Sequence, residues 1–128
     1  MGTGGRSGFY SARQNQARAA LEDLRVSYAQ GDTSGFFRGV SSAPYFSASD
    51  LDIRVHRDVS GYHTIDLKIY EDLVLEEGDK VLIKTHWQKR RVNSRTGQVE
   101  TSSGSAQFAF KTEEDLMSLV DIRGESPF

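Results

Sequence analysis

Side chains that could act as general acids or bases are scattered along this chain of 128 residues. Acid–base catalysis needs two such groups that converge, one of them with a pKa tuned towards neutrality by burial. The spacing of the sequence places no pair together. The best candidate set is His63, Asp121 and Tyr45, and we take these three as the candidate catalytic residues.

Two other histidines and one further acid are expected to face solvent. Alternation along a strand gives His86 the opposite face from Trp87, and Asp66 the opposite face from Ile65. His56 lies off the apolar stripe of its own segment, next to an arginine and an aspartate. We therefore predict that these three side chains take no part in a site.

Signatures of metal, nucleotide and nucleophilic chemistry are missing from the sequence. There is no cysteine, which excludes disulfides and thiolate ligands to a metal. His56 and His63 are seven residues apart, without the tight spacing that zinc sites favour. The glycines at 2, 4 and 5 form no phosphate-binding GxGxxG loop, and there is no nucleophile elbow. The sequence predicts no cofactor and no metal.

Composition narrows the classes of partner. The net charge is -2, from 16 basic and 18 acidic residues, so the basic excess typical of a nucleic-acid-binding protein is missing. No apolar run approaches the roughly 20 residues that a membrane span needs. The sequence therefore predicts a partner that is neither nucleic acid nor the membrane interior.

Length and the terminal composition predict one domain with a short tail. Residues 1–8 contain four glycines and are expected to be flexible, while residues 9–128 suffice for a single core. The start shows no signal peptide, but a Gly-rich start also fits a protein whose leader has been removed. Bacterial cytoplasm and the periplasm or cell envelope therefore both stay open.

Apolar spacing predicts helices in the first third of the chain. A stripe at i, i+3, i+4, i+7 and i+11 predicts a helix over 14–30 that ends at Gly31. Asp32 is placed to cap a second, short helix that packing of Phe36 or Phe37 must hold in place. The stripe consists of Ala17, Ala20, Leu21, Leu24 and Tyr28.

Residues 49–60 fit two patterns. Leu51, Ile53 and Val55 alternate as in a strand, whereas Leu51, Val55 and Val59 keep a helical spacing. Ser49 with Asp52 resembles a capping box at the start of a helix. The pattern favours a helix ending at Gly61, and a strand remains the alternative.

The rest of the chain has a period of two and predicts antiparallel strands. A loop centred on Arg95–Thr96 places Trp87 opposite Gly104 and Ile83 opposite Phe108, so that the apolar faces of two strands coincide. A slip of one residue would break this match. Helices followed by strands predict an α+β fold, with the helices on one face of a curved sheet.

The basic end of this hairpin allows two interpretations. Trp87 marks the last apolar position of its strand, and the sequence favours a tryptophan that closes the core over one that lines the rim of a pocket. Beyond it, Lys89–Arg91 and Arg95 are expected to form a solvated edge that deters edge pairing. An anionic partner at this edge is the less favoured interpretation.

The order of segments resembles the nuclear transport factor 2-like superfamily, the cystatin-like cones, over roughly residues 14–128. The resemblance rests on the segments "YAQGDTSGFF", "VLIKTHWQKR", "GSAQFAF" and "LVDIRGESPF". Within the superfamily, these segments most resemble those of uncharacterised bacterial members. It implies a bent antiparallel sheet wrapped around helices into a cone, with an apolar pocket edged by Trp87, Phe108, Phe110 and Phe36.

The resemblance implies two alternative classes of function, a binding domain or an enzyme, because a fold does not fix an activity. The favoured expectation is a non-catalytic binding or protein-interaction domain for an unknown small apolar ligand or protein partner, with a possible homodimer through the outer sheet face. The alternative is an isomerase, dehydratase or cyclase that uses acid–base residues inside the cone.

Overall fold

Three helices precede four strands in the computed structural model, which describes residues 10–128. The expected tail, residues 1–8, lies outside the described residues. The elements are α1 (Ala12–Gln30), α2 (Thr33–Arg38), α3 (Ala48–Gly61), β1 (Tyr62–Glu77), β2 (Lys80–Asn93), β3 (Val99–Glu113) and β4 (Leu116–Gly124). The α+β class and the helix assignment of the ambiguous segment are confirmed.

Capping residues explain where the helices begin and end. Ser11 and Gln14 form a capping box at the start of α1, and Gly31 ends that helix with a φ of 74°. Asp32 caps α2 by accepting a hydrogen bond from the Gly35 amide, as predicted. The predicted cap of α3 was wrong by two residues. Ser47, in an extended conformation, accepts from the Asp50 amide.

The four strands form one antiparallel sheet in chain order, β1-β2-β3-β4. The predicted register of β2 and β3 is confirmed, with Trp87 opposite Gly104 and Ile83 opposite Phe108. Register shifts between Glu71 and Leu73 and between Ala109 and Phe110 bend the sheet. Its inner face is the one that carries Ile83 and Trp87 towards the helices. The outer face is the opposite one.

The edge of the sheet at β4 is covered. Val40 forms a parallel bridge to Leu119, whose amide donates to the Gly39 carbonyl at 2.8 Å, while the Ser41 amide donates to the Leu119 carbonyl at 2.9 Å. These bonds occupy backbone groups that an edge strand would otherwise expose.

The core lies between the helices and the inner face. The α1 stripe, in which Ala20 alone is partly exposed, is buried together with Leu51 and Val55 of α3 and with the aromatic side chains of β2 and β3. Trp87 belongs to this core, and its indole nitrogen donates to the Glu125 carbonyl at 2.7 Å. Trp87 therefore closes the core, which was the favoured interpretation of the sequence.

Gly104 is required where the ring of Trp87 crosses β3. A Cβ at this position would lie 2.8 Å from Cζ2 of Trp87 and 3.0 Å from Cβ of Glu125. We expect Gly104→Ala to lower the free energy of unfolding by about 1–3 kcal/mol in denaturant titrations, because the buried ring must shift. Gly61→Ala is the control, since its Cβ would meet nothing within 4 Å. Equal losses in both variants would contradict this account.

Candidate functional site

Two of the three candidate catalytic residues lie together, on the outer face of the sheet. Tyr45, which is 60% exposed, and Asp121 line one depression of about 230 Å³. The carboxylate of Asp121 accepts from Arg123 Nε at 3.0 Å. His63 is exposed near the start of β1 and does not line this depression.

The side chains predicted to face solvent do so. His86 is exposed and its Nδ1 lies 2.8 Å from Oδ1 of Asp72. His56 and Asp66 are exposed as well. Across residues 10–128, no group of three or more histidine, aspartate or glutamate side chains is placed to hold a metal ion.

The four residues predicted to line a pocket are all buried in the core. Trp87, Phe108, Phe110 and Phe36 belong to one cluster that also contains the α1 stripe. None of them lines the depression that holds Tyr45 and Asp121. An apolar pocket edged by these four side chains stays a prediction.

The densest group of ionisable side chains is a set of four, three of them buried and Arg91 partly exposed, which we call the ionic cluster: Tyr28, Asp58, Lys89 and Arg91. Three elements position it. Tyr28 is the last member of the α1 stripe, and Asp58 takes the place seven residues after Leu51 on the buried side of α3. On β2, Lys89 and Arg91 continue the inward alternation.

Asp58 is the centre of the cluster. Although it is only 5% exposed, its carboxylate is satisfied on both oxygens. Oδ2 accepts from the Tyr28 hydroxyl at 2.6 Å and lies 3.8 Å from Lys89 Nζ. Oδ1 accepts from Arg91 Nη1 at 3.2 Å. A buried carboxylate is tolerated because it is paired and hydrogen-bonded in this way.

Lys89 is 8% exposed and has three oxygen atoms around its ammonium group. Besides the Asp58 carboxylate, Nζ donates to the Tyr28 hydroxyl at 3.1 Å and to the Pro127 carbonyl at 2.6 Å. Burial lowers the pKa of Lys89 to about 8, and the Asp58 charge opposes this shift. The pKa of Tyr28 is raised by burial and by its bond to Asp58.

Arg91 connects the cluster to the surface. Its Nη2 donates to Oε1 of Glu100 at 3.1 Å, and the Tyr62 hydroxyl donates to the same oxygen at 2.9 Å. The guanidinium also lies 4.2 Å from the centre of the Tyr62 ring. Arg91, Asp58 and Tyr62 line a depression of about 340 Å³, which is where solvent approaches the cluster.

The sequence interpretation missed this site, and part of it was wrong. Lys89 and Arg91 were expected on a solvated edge, yet the inward face continues past Trp87 and carries both towards the core. Only Arg90 and Arg95 are exposed as expected. Two features of the sequence could have indicated this site. Lys89 and Arg91 are an even number of residues from Trp87 and so share its face of the strand, and Asp58 is seven residues after Leu51, on the same face of its helix.

Removing Asp58 should leave Lys89 buried without its counter-charge. We expect Asp58→Ala to lower the free energy of unfolding by roughly 3–5 kcal/mol in denaturant titrations. Asp52→Ala is the control on the same helix, because Asp52 is exposed and pairs with the exposed His56. The control should leave the free energy nearly unchanged, and an equally mild Asp58→Ala would rule out this role.

The pKa of Lys89 makes stability depend on pH. Its folded pKa lies below the ordinary 10.5, so between about pH 8 and pH 10 the unfolded chain holds a proton that the folded chain has lost. The free energy of unfolding of the wild type, relative to Lys89→Met, should therefore rise across this range. Arg90→Met should keep the wild-type slope, and a flat difference for Lys89→Met would refute the assignment.

Comparison with known proteins gives a fold but no sequence family. No protein-family profile matches the chain, and no curated protein matches it in sequence. Among solved structures, a nuclear transport factor 2-like superfamily protein from Salmonella enterica serovar Typhimurium is similar with a TM-score of 0.72 and 10% identity. That similarity covers 91% of this chain and 92% of the other.

Two further structures are similar over nearly the whole chain. A Streptomyces avermitilis protein, provisionally named a dehydratase of the NTF2-like family, has a TM-score of 0.74 at 12% identity, covering 88% of this chain and 94% of that one. The association domain of Caenorhabditis elegans CaMKII has a TM-score of 0.67 at 13% identity, covering 90% and 96%. The chain therefore has the fold of the nuclear transport factor 2-like superfamily.

Proposed function

We propose that this protein is a non-catalytic interaction domain that associates with a second copy of itself through the outer face of the sheet. The observation that carries the proposal is an apolar area on that face, which we call the outer patch: the exposed Leu73, Leu75 and Tyr45 beside the buried Leu82 and Ala109. Leu75, within the outer patch, is 40% exposed. Apolar surface of this kind, rimmed by polar groups, is typical of interaction sites.

The charges around the outer patch suit contact between two identical surfaces. Lys80, Lys84 and Arg123 lie at its rim together with Glu77 and Asp121. In a twofold dimer the same surface meets itself, so a patch that carries both signs can place each cation near an acid of the other copy. A rim of one sign would instead repel its copy.

The interior supports a role without catalysis. In the described part of the chain, every buried side-chain nitrogen or oxygen has a hydrogen-bond partner within the protein. The ionic cluster in particular is saturated by its own members and by the Pro127 carbonyl. Groups paired in this way leave no buried polar atom free to contact a substrate.

The fold is compatible with association. One of the similar structures is, by its name, an association domain. The similarity concerns the fold, and the chemistry of the outer patch is what supports association in this chain. No helix within residues 10–128 has the length and apolar character to cross a membrane.

The experiment is the oligomeric state measured by sedimentation over a range of protein concentrations. Wild type should form dimers, and Leu75→Glu should raise the dimer dissociation constant by tenfold or more, because it buries a charge in the interface. Ile53→Glu is the matched control, since Ile53 is 61% exposed on α3 rather than on the sheet. A monomeric wild type, or equal effects of both variants, would overturn the proposal.

A second candidate is an isomerase, dehydratase or cyclase that works inside the cone. The observation in its favour is Lys89, whose pKa is lowered to about 8 beside the Tyr28 hydroxyl and the Asp58 carboxylate. Such a set could move protons near neutral pH. The provisional dehydratase name of a similar structure also favours it. This candidate requires that Pro127 leave the ammonium group.

A further inference from the structure

Residues 125–128 leave the sheet after β4 and fold back over its inner face. By the tail we mean these four residues and not residues 1–8. Gly124 ends β4 with a φ of 91°, a conformation suited to glycine. The tail has no strand or helix of its own. Its backbone is held at Glu125, whose amide donates to the Ser105 carbonyl at 2.8 Å and whose carbonyl accepts from Trp87.

Phe128 packs among three aromatic rings, and we call the space that its ring fills the aromatic pocket. The Phe128 side chain is only 3% exposed, and its ring centre lies 5.3 Å from that of Tyr28, 4.9 Å from that of Phe36 and 5.9 Å from that of Phe108. Two of these contacts are edge-to-face, which is a favourable arrangement of aromatic rings. The four rings come from α1, α2, β3 and the tail.

The tail also supplies oxygen atoms to two cations. The Pro127 carbonyl accepts from Lys89 Nζ at 2.6 Å, and the Phe128 carbonyl accepts from Arg54 Nε at 3.3 Å. An open depression of about 360 Å³, lined by Arg54, Ser126 and Phe128 among others, lies beside these contacts. The pocket therefore combines three fixed rings with two positively charged donors.

We propose that the tail occupies, within its own chain, a binding site for an aromatic carboxylate. The ring of such a ligand would take the place of the Phe128 ring, and its carboxylate would take the place of the Pro127 carbonyl on Lys89. A carboxylate is a stronger acceptor for an ammonium group than the neutral carbonyl that it replaces. This site is separate from the outer patch, so it does not depend on association.

The covalent path between the two anchoring points defines the length of the ligand. From the Pro127 carbonyl carbon to the Phe128 ring the chain runs through the amide nitrogen, Cα and Cβ. In 4-phenylbutanoate, three methylene groups join the carboxylate carbon to the ring, which reproduces this spacing. Butylbenzene has the same ring and carbon count without the oxygen atoms, and it is therefore the matched probe.

The test removes the ring that anchors the tail, so that a ligand can displace the Pro127 carbonyl from Lys89, and it offers the aromatic pocket both probes. Phe128→Ala should bind 4-phenylbutanoate with a dissociation constant at least tenfold below that for butylbenzene, measured by calorimetry or NMR titration, because only the former has a charged partner for Lys89. Adding Lys89→Met should remove that preference while leaving binding of butylbenzene. Wild type should bind 4-phenylbutanoate more weakly than Phe128→Ala, since the tail competes.

Phe110→Ala is the matched control, because it removes a buried ring from the same core and Phe110 forms no ring pair with Phe128. It should not prefer 4-phenylbutanoate. If Phe128→Ala does not fold, Phe128→Leu is measured in the same way, as it keeps part of the apolar volume. A Phe128 variant that folds but binds neither probe, binds both equally, or keeps its preference with Lys89→Met would overturn the proposal.

Discussion

The carboxylate of Asp58 is the point at which the separate elements of this fold are joined. Tyr28 from α1 and Arg91 from β2 both donate hydrogen bonds to it, and the Lys89 ammonium lies beside it. A buried carboxylate without these partners would be costly, and buried lysine or arginine without the carboxylate would be equally so. The helices and the sheet are therefore held in one relative position by a polar constraint, which apolar packing alone would not impose.

The hairpin of β2 and β3 was predictable because its information is local. Strand alternation, a loop of even length and a glycine opposite Trp87 each point to the same register, and a slip of one residue would violate all of them. The helix at 48–61 was favoured for a related reason, since Leu51, Val55 and Val59 recur at a spacing of four residues. There the pattern within the segment left a strand as the alternative, because Leu51, Ile53 and Val55 also alternate.

The ionic cluster could not be predicted with the same certainty, because its members are far apart in the chain. Asp58 and Tyr28 are 30 residues apart, and Lys89 is 61 residues from Tyr28. A charged residue after an apolar strand normally signals the end of burial. Strand parity would have placed Lys89 on the inner face, but only the partner on another element makes burial tolerable. The position of the Phe128 ring could not be predicted either, because the rings that surround it are far from it in the sequence.

The order of the elements has a consequence for synthesis on the ribosome. The apolar side of α1 is complete once Tyr28 has been made, whereas the strand that covers it with Trp87 comes almost 60 residues later. At 5–20 residues per second that interval is roughly 3–12 s. During it the stripe has at most the single strand β1 to pack against, so apolar surface of the emerging helix stays exposed. Because the sheet follows chain order, each hairpin can then close on the strand made just before it.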